Sequence, residues 1–168
     1  PDTTYLYSVG DGSGDGWSEM AEFTTAPGRT EPFSFVYMGD AQNGLERWGS
    51  LVHNAFRQRP DAAFYIMAGD LVNRGNERDD WDSFFHSARG IYDRRPVVPA
   101  IGNHENQGGH PGMYLQMFDL PKNGPESIEP ERAYTLRYSN AEFFVLDSNL
   151  TPESQSAWLE NALKSSTA

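Results

Sequence analysis

The chain has 168 residues, 38% hydrophobic and 13% aromatic, which points to one mid-sized domain with a real core rather than a disordered segment. Its 13 basic and 24 acidic residues give a formal net charge of −11, so no basic patch is expected for a nucleic-acid backbone or an anionic membrane. The chain has no cysteine, which excludes disulfides and thiolate metal sites, and no apolar run approaches the roughly 18 residues a membrane helix needs.

The chain opens Pro1-Asp2-Thr3, with no Met and no basic, apolar leader, so whatever preceded it is expected to have been removed. Thr4 to Val9 alternates like a strand, Gly10 to Gly16 breaks it, and Ala21 to Thr25 reads as a second strand ending at Ala26-Pro27-Gly28. Two strands and a turn cannot bury a core. Residues 1–27 therefore read as the tail of a preceding β-domain, 28–32 as a linker, and 33–168 as the main domain. Asp11 to Glu22 has the spacing of a calcium loop, with Gly16 at its sixth position and Glu22 at its twelfth. Such a loop needs helices on both sides, whereas these flanks read as strands. A solvated hairpin turn is the leading expectation there and a calcium ion the alternative.

From Phe33 the pattern changes. The run Phe33 to Met38 ends in Gly39-Asp40, and Leu45, Trp48, Leu51, Val52, Ala55 and Phe56 follow at helical spacing. A second run, Ala62 to Ala68, ends in Gly69-Asp70, and Trp81, Phe84, Phe85, Ala88, Ile91 and Tyr92 form another helical stripe. A third run, Val97 to Ile101, ends in Gly102-Asn103-His104-Glu105. Apolar strands alternating with helices make an α/β arrangement with the strands buried on both faces. Ala133 to Tyr138 and Ala141 to Leu146 read as two more strands. Thr151 is placed to cap a last helix, with Trp158, Leu159, Ala162 and Leu163 on its inner face.

Three polar clusters thus stand at the carboxyl ends of three successive strands, where open α/β sheets form ligand sites. A lone Gly-Asp after a strand is usually a turn, but three such endings in series converge oxygen ligands beside one imidazole. Hard divalent cations suit that set, and a pair of them about 3.5–4 Å apart needs a bridging carboxylate.

Gly39-Asp40, Gly69-Asp70-Leu71-Val72-Asn73 and Gly102-Asn103-His104-Glu105 together resemble the calcineurin-like metallophosphoesterase superfamily, over about residues 33–168. Residues 4–26 look like the last hairpin of the fibronectin type III-like domain that precedes the catalytic domain in purple acid phosphatases. The resemblance implies a metallophosphoesterase-type αββα sandwich, incomplete at the C-terminus, behind a hairpin from a β-sandwich. It implies a metal-dependent hydrolase of phosphoric mono- or diesters that uses a binuclear centre of Fe, Zn or Mn and a metal-activated hydroxide. In that scheme Asp40 binds the first metal, Asp70 bridges both, Asn103 binds the second, and His104 works at the phosphoryl oxygens or leaving group. The implied partner is a small-molecule phosphate ester, and the implied location is outside the cytoplasm.

Two departures from the family pattern qualify the site. Gln42 stands where most of the family has His, and its amide oxygen is a weaker candidate ligand. Asn73 stands where purple acid phosphatases have Tyr, so a ferric-tyrosinate centre is not expected, and Asn73 becomes a candidate substrate contact. The family also supplies later histidines, whereas this chain has only His53, His86, His104 and His110. His53 and His86 fall within helices and read as structural, and His110 is a weak substrate-binding candidate in a glycine-rich loop. The remaining ligands are expected from sequence beyond Ala168 or from a companion chain. The alternative function is a binding or surface module that keeps the scaffold without catalysis. Asn149-Leu150-Thr151 forms a glycosylation sequon, a triplet that also arises by chance.

Overall fold

In a computed structural model, which describes all 168 residues, the apolar runs that precede Asp40, Asp70 and Asn103 are short strands lying side by side. The first two strands of the chain, β1 (Thr4–Tyr7) and β2 (Ala21–Thr24), form a separate antiparallel hairpin, with Tyr5 opposite Phe23 and Tyr7 opposite Ala21. Then follow β3 (Val36–Met38), α1 (Leu45–Gln58), β4 (Tyr65–Ala68), α2 (Arg78–Ser87) and β5 (Val97–Ala100). These strands make a parallel sheet in the order β3-β4-β5, with Met38 opposite Met67 and Ala68 opposite Ala100. All three strands therefore run out at one edge. A short helix α3 (Gly112–Met117), an antiparallel pair β6 (Tyr134–Tyr138) and β7 (Ala141–Val145), and α4 (Glu153–Ser165) complete the chain. No helix is long and apolar enough to cross a membrane.

Two apolar layers hold this arrangement. On one face of the parallel sheet, Val36, Met38, Tyr65 and Met67 pack against Trp48 and Val52 of α1 and Trp81 and Phe84 of α2. Full burial of a side chain such as Val52 or Phe84 is worth about 1.5–3 kcal/mol. On the other face, Phe64, Ile66 and Val98 meet Tyr134, Leu136, Phe143 and Val145 of the second sheet. Helix, sheet, sheet and final helix follow the layering of an αββα sandwich, built here on two small sheets. The hairpin is pinned to the main unit by the Tyr7 hydroxyl, which donates to the carbonyl of Asp93 at 2.7 Å.

Several expectations are corrected. Strand β3 begins at Val36, because Phe33 and Phe35 leave strand pairing and join an aromatic cluster with Phe64, Tyr138 and Phe143. The second helical stripe is buried at Trp81, Phe84, Ala88 and Ile91, but the helix stops at Ser87, and Gly90 follows at φ +83°. Leu51, assigned to the buried stripe of α1, is 55% exposed. Thr151 makes no side-chain cap, and Pro152 itself occupies the cap position of α4. Leu163 faces out, because α4 is anchored through buried Gln155, which exchanges hydrogen bonds with the backbone of Asp147 at 2.9 Å each way. The calcium reading also falls away. Glu22 lies on β2 beside Arg94, not in the loop, and Asp11 Oδ1 accepts the N–H of Ser13 in an exposed turn closed by the Gly10–Trp17 bridge.

Candidate metal centre

Each of the first two strand tips turns through an aspartate in the left-handed region, Asp40 at φ +57° and Asp70 at φ +53°. Asp is among the few side chains that tolerate that conformation, and holding it costs of order 1–3 kcal/mol. Gly69 precedes the second turn at φ +82°, where an added Cβ would lie 2.9 Å from Gly102 Cα. The second and third strand tips therefore touch backbone to backbone. An added Cβ on Gly102 would collide with the Asp70 carboxylate. Glycine at both positions is what lets Asp70 reach the third cluster.

The two carboxylates converge on one amide. Gln42 Nε2 donates to Asp40 Oδ1 at 3.0 Å and to Asp70 Oδ2 at 3.2 Å, while Asp70 Oδ1 accepts the backbone N–H of His104 at 3.1 Å. None of the ion pairs in the chain involves Asp40 or Asp70. The nearby Arg74 is engaged by Asp80, whose carboxyl the guanidinium holds below the usual range. Gln42 Oε1, on the other end of the amide, is buried with no hydrogen-bond partner. Turning that amide over would give Oε1 a role, but only with a cation between it and the carboxylates.

This donor set fits a hard cation. The side chains that meet are two carboxylates and one amide, and no three His, Cys, Asp or Glu side chains come together as a ready-made cage. Asn103 stands exposed at the third tip, between Gly102, which abuts Asp70, and His104, whose N–H holds Asp70. His104 Nδ1 lies 2.7 Å from the backbone carbonyl of Asn73. A carbonyl only accepts, so Nδ1 carries the proton and Nε2 is the nitrogen left for other work.

Not every candidate gathers here. Asn73 takes part through its backbone carbonyl, which also accepts from Gln107 Nε2 at 2.8 Å, while its side chain is exposed. His110 lies apart from the cluster, paired with Glu129 at 2.9 Å. His53 and His86 lie on α1 and α2 as expected.

Two parts of the site escaped the sequence reading. Glu105 is fully buried, and its carboxylate accepts the backbone N–H groups of Asp70, Leu71, Val72 and Gly102 at 2.8–3.1 Å. Burial pushes this carboxyl up, and the N–H bonds oppose the shift. The second part is a buried ion pair, Arg132 to Asp147 at 2.6 Å, with Arg132 also donating to Asn106 Oδ1 at 3.1 Å. Asn149 Nδ2 donates to Asp147 Oδ1 at 2.8 Å and to the Gly102 carbonyl at 3.2 Å, which ties the end of β7 to the third tip and occupies the sequon's amide. Asp147-Ser148-Asn149 follows a fourth apolar run, and that strand-end pattern is the signal that could have found it.

A profile of the calcineurin-like phosphoesterases matches residues 33–161. The chain belongs to the calcineurin-like phosphoesterase family. Purple acid phosphatase PPD1 from yellow lupin (Lupinus luteus) seeds superposes with a TM-score of 0.78 at 21% identity, over 99% of this chain and 34% of that one. An uncharacterized protein of Mycobacterium tuberculosis strain H37Rv is 27% identical across 94% of this chain and 29% of its own length. Purple acid phosphatase 22 of Arabidopsis thaliana is 31% identical over 61% of this chain and 22% of its own length. This calcineurin-like chain thus spans between 22% and 34% of the length of these relatives.

Proposed function

We propose that the strand-tip cluster binds two cations and serves the hydrolysis of phosphoric mono- or diesters. The observation that carries this is the convergence of Asp40 and Asp70, each through a left-handed turn, on a single amide with no counter-ion. Asp40, Asp70, Asn103 and a turned Gln42 would hold the cations, with Asp70 shared between them. Cations bound there supply Lewis-acid polarisation of a phosphoryl oxygen and an acidified water. The protein's own part is to fix the ligand backbone, and to present His104 Nε2 for proton transfer at the leaving group or for stabilising charge on the phosphoryl oxygens. The resemblance extends the proposal to residues 1–27 as the end of a fibronectin type III-like domain, supported by a hairpin that pairs with no other strand.

The test is calorimetric titration of the chain with Mn²⁺, with Asp70→Ala and Gln42→Ala beside it. Asp70→Ala is expected to abolish binding, whereas water can take the place of the single neutral amide in Gln42→Ala, so that variant should keep part of it. Wild-type affinity in Asp70→Ala overturns the assignment. A second reading, a binding module without turnover, is favoured by Gln42 standing where most of the family has an imidazole. Mn²⁺ uptake without hydrolysis of an aryl phosphate or an aryl phosphodiester by the full-length protein selects that reading.

A further inference from the structure

Glu105 accepts four backbone N–H groups from two segments about thirty residues apart, two on each oxygen: Leu71 and Val72 on Oε1, Asp70 and Gly102 on Oε2. A carboxylate has about four lone-pair sites, so this one has none left for a proton or a cation. Successive N–H groups at 70–72 turn toward one point because Asp70 is left-handed, and such a concave run of amides is an anion-binding nest. Here the anion is a side chain of the chain itself. Gly102, Asn103 and His104 precede Glu105 directly, so the carboxylate that fills the nest also fixes the start of the third cluster. Two further bonds stitch the same segments: Gly75 N–H to the His104 carbonyl at 3.1 Å, and His104 Nδ1 to the Asn73 carbonyl.

We infer that Glu105 is a positioning residue that locks the second and third strand tips together before any cation binds, holding Asp70 and Asn103 in register without touching metal or substrate. The inference rests on the metal-centre reading above. It accounts for how a strained Asp70 turn persists in a loop otherwise free to relax, since the strain is offset by four bonds to a charged acceptor. It also accounts for the side-chain length. Aspartate, one methylene shorter, could not keep all four bonds from the same backbone position, and glutamine would turn an NH₂ group toward two N–H donors.

The experiment compares wild type and Glu105→Gln by NMR amide exchange in EDTA and by calorimetric titration with Mn²⁺ at a temperature where circular dichroism shows both folded. The wild-type amides of Asp70, Leu71, Val72 and Gly102 are expected to be protected without metal. Glu105→Gln should expose them while β4 stays protected, and should weaken Mn²⁺ binding about 10–100-fold, the range for a group that orients ligands from behind. A merely structural role would lower the melting temperature and leave the Mn²⁺ affinity of the folded variant at the wild-type value, and that result overturns the inference. If Glu105→Gln does not fold, wild type decides alone: amides protected in EDTA support the inference, and amides protected only after Mn²⁺ is added overturn it. Failure of the underlying reading is distinct, because wild type then takes up no Mn²⁺ and both fall. Failure of this inference alone leaves wild-type uptake intact.

Discussion

Gly102→Ala isolates the contact on which the proposed centre depends. An added Cβ at Gly102 lands on Asp70 Oδ1 and lies 2.8 Å from Asp70 Cγ, well inside ordinary carbon–carbon contact. Gly102 is not at positive φ, so the substitution carries no backbone strain of its own, and the effect is steric. The carboxylate and the backbone N–H of Asp70 both face the new methyl, so the side chain cannot escape by a simple rotation. Overpacking of this kind costs about 1–3 kcal/mol, and a carboxylate displaced by about 1 Å can lower turnover about 100-fold. Gly14→Ala is the control. It meets nothing within 4 Å at an ordinary φ and should be neutral or stabilise by about 0.4–1 kcal/mol through the unfolded chain. Urea unfolding reads the stability of both variants, and Mn²⁺ titration reads the site. Gly102→Ala with the wild-type urea midpoint and the wild-type Mn²⁺ affinity would refute the reasoning, because no packed carboxylate could then be in its way.

Two further perturbations test the surroundings. Asp147→Asn leaves Arg132, only 8% exposed, without its charged partner and should destabilise by about 3–5 kcal/mol, with Asp147→Leu/Arg132→Met together losing less; urea unfolding checks both, and an unchanged single variant would refute the buried pair. For Asp80, hydrogen bonding to Arg74 depresses the folded pKa, so its stabilisation is present above the unfolded value of about 3.9 and is lost as pH falls through the folded value. The urea midpoints of wild type and Asp80→Asn should therefore differ near neutral pH and converge in acid, by a small amount given the 56% exposure of Arg74, and a gap that persists in acid would contradict the assignment.

The parallel sheet was legible because each of its strands is an apolar run closed by glycine, a pattern that depends only on local sequence. The strand tips were legible for the same reason, since Gly-Asp, Gly-Asp and Gly-Asn-His place polar groups where α/β sheets form sites. Boundaries were less so. Phe33 and Phe35 look like strand residues, yet they pack sideways into the aromatic cluster between the two sheets, a tertiary choice that alternation cannot reveal. The task of Glu105 is invisible in its motif, because its four partners are backbone N–H groups and carry no mark in the sequence. Asp147 carries a strand-end signal, but nothing in the sequence pairs it with Arg132, 15 residues away, until β6 and β7 bring the two together.

The same physics explains why the site and the strain coincide. An aspartate at positive φ after a strand is unfavourable in isolation, and the chain has two such turns, at the tips of β3 and β4. Each is stitched to its neighbour: Asp40 N–H donates to the Gly69 carbonyl at 3.0 Å, and Gln42 N–H donates to the Asp70 carbonyl at 3.1 Å. The first tip is thus held by the second, and the second by Glu105 and the third. A lone Gly-Asp turn could relax to an ordinary loop without consequence. Three tips bonded in series cannot relax singly, so like charges at Asp40 and Asp70 remain close enough to share one amide. Keeping two carboxylates together with no arginine or lysine between them is electrostatically unfavourable for the bare fold, which makes a cation the natural complement of the arrangement.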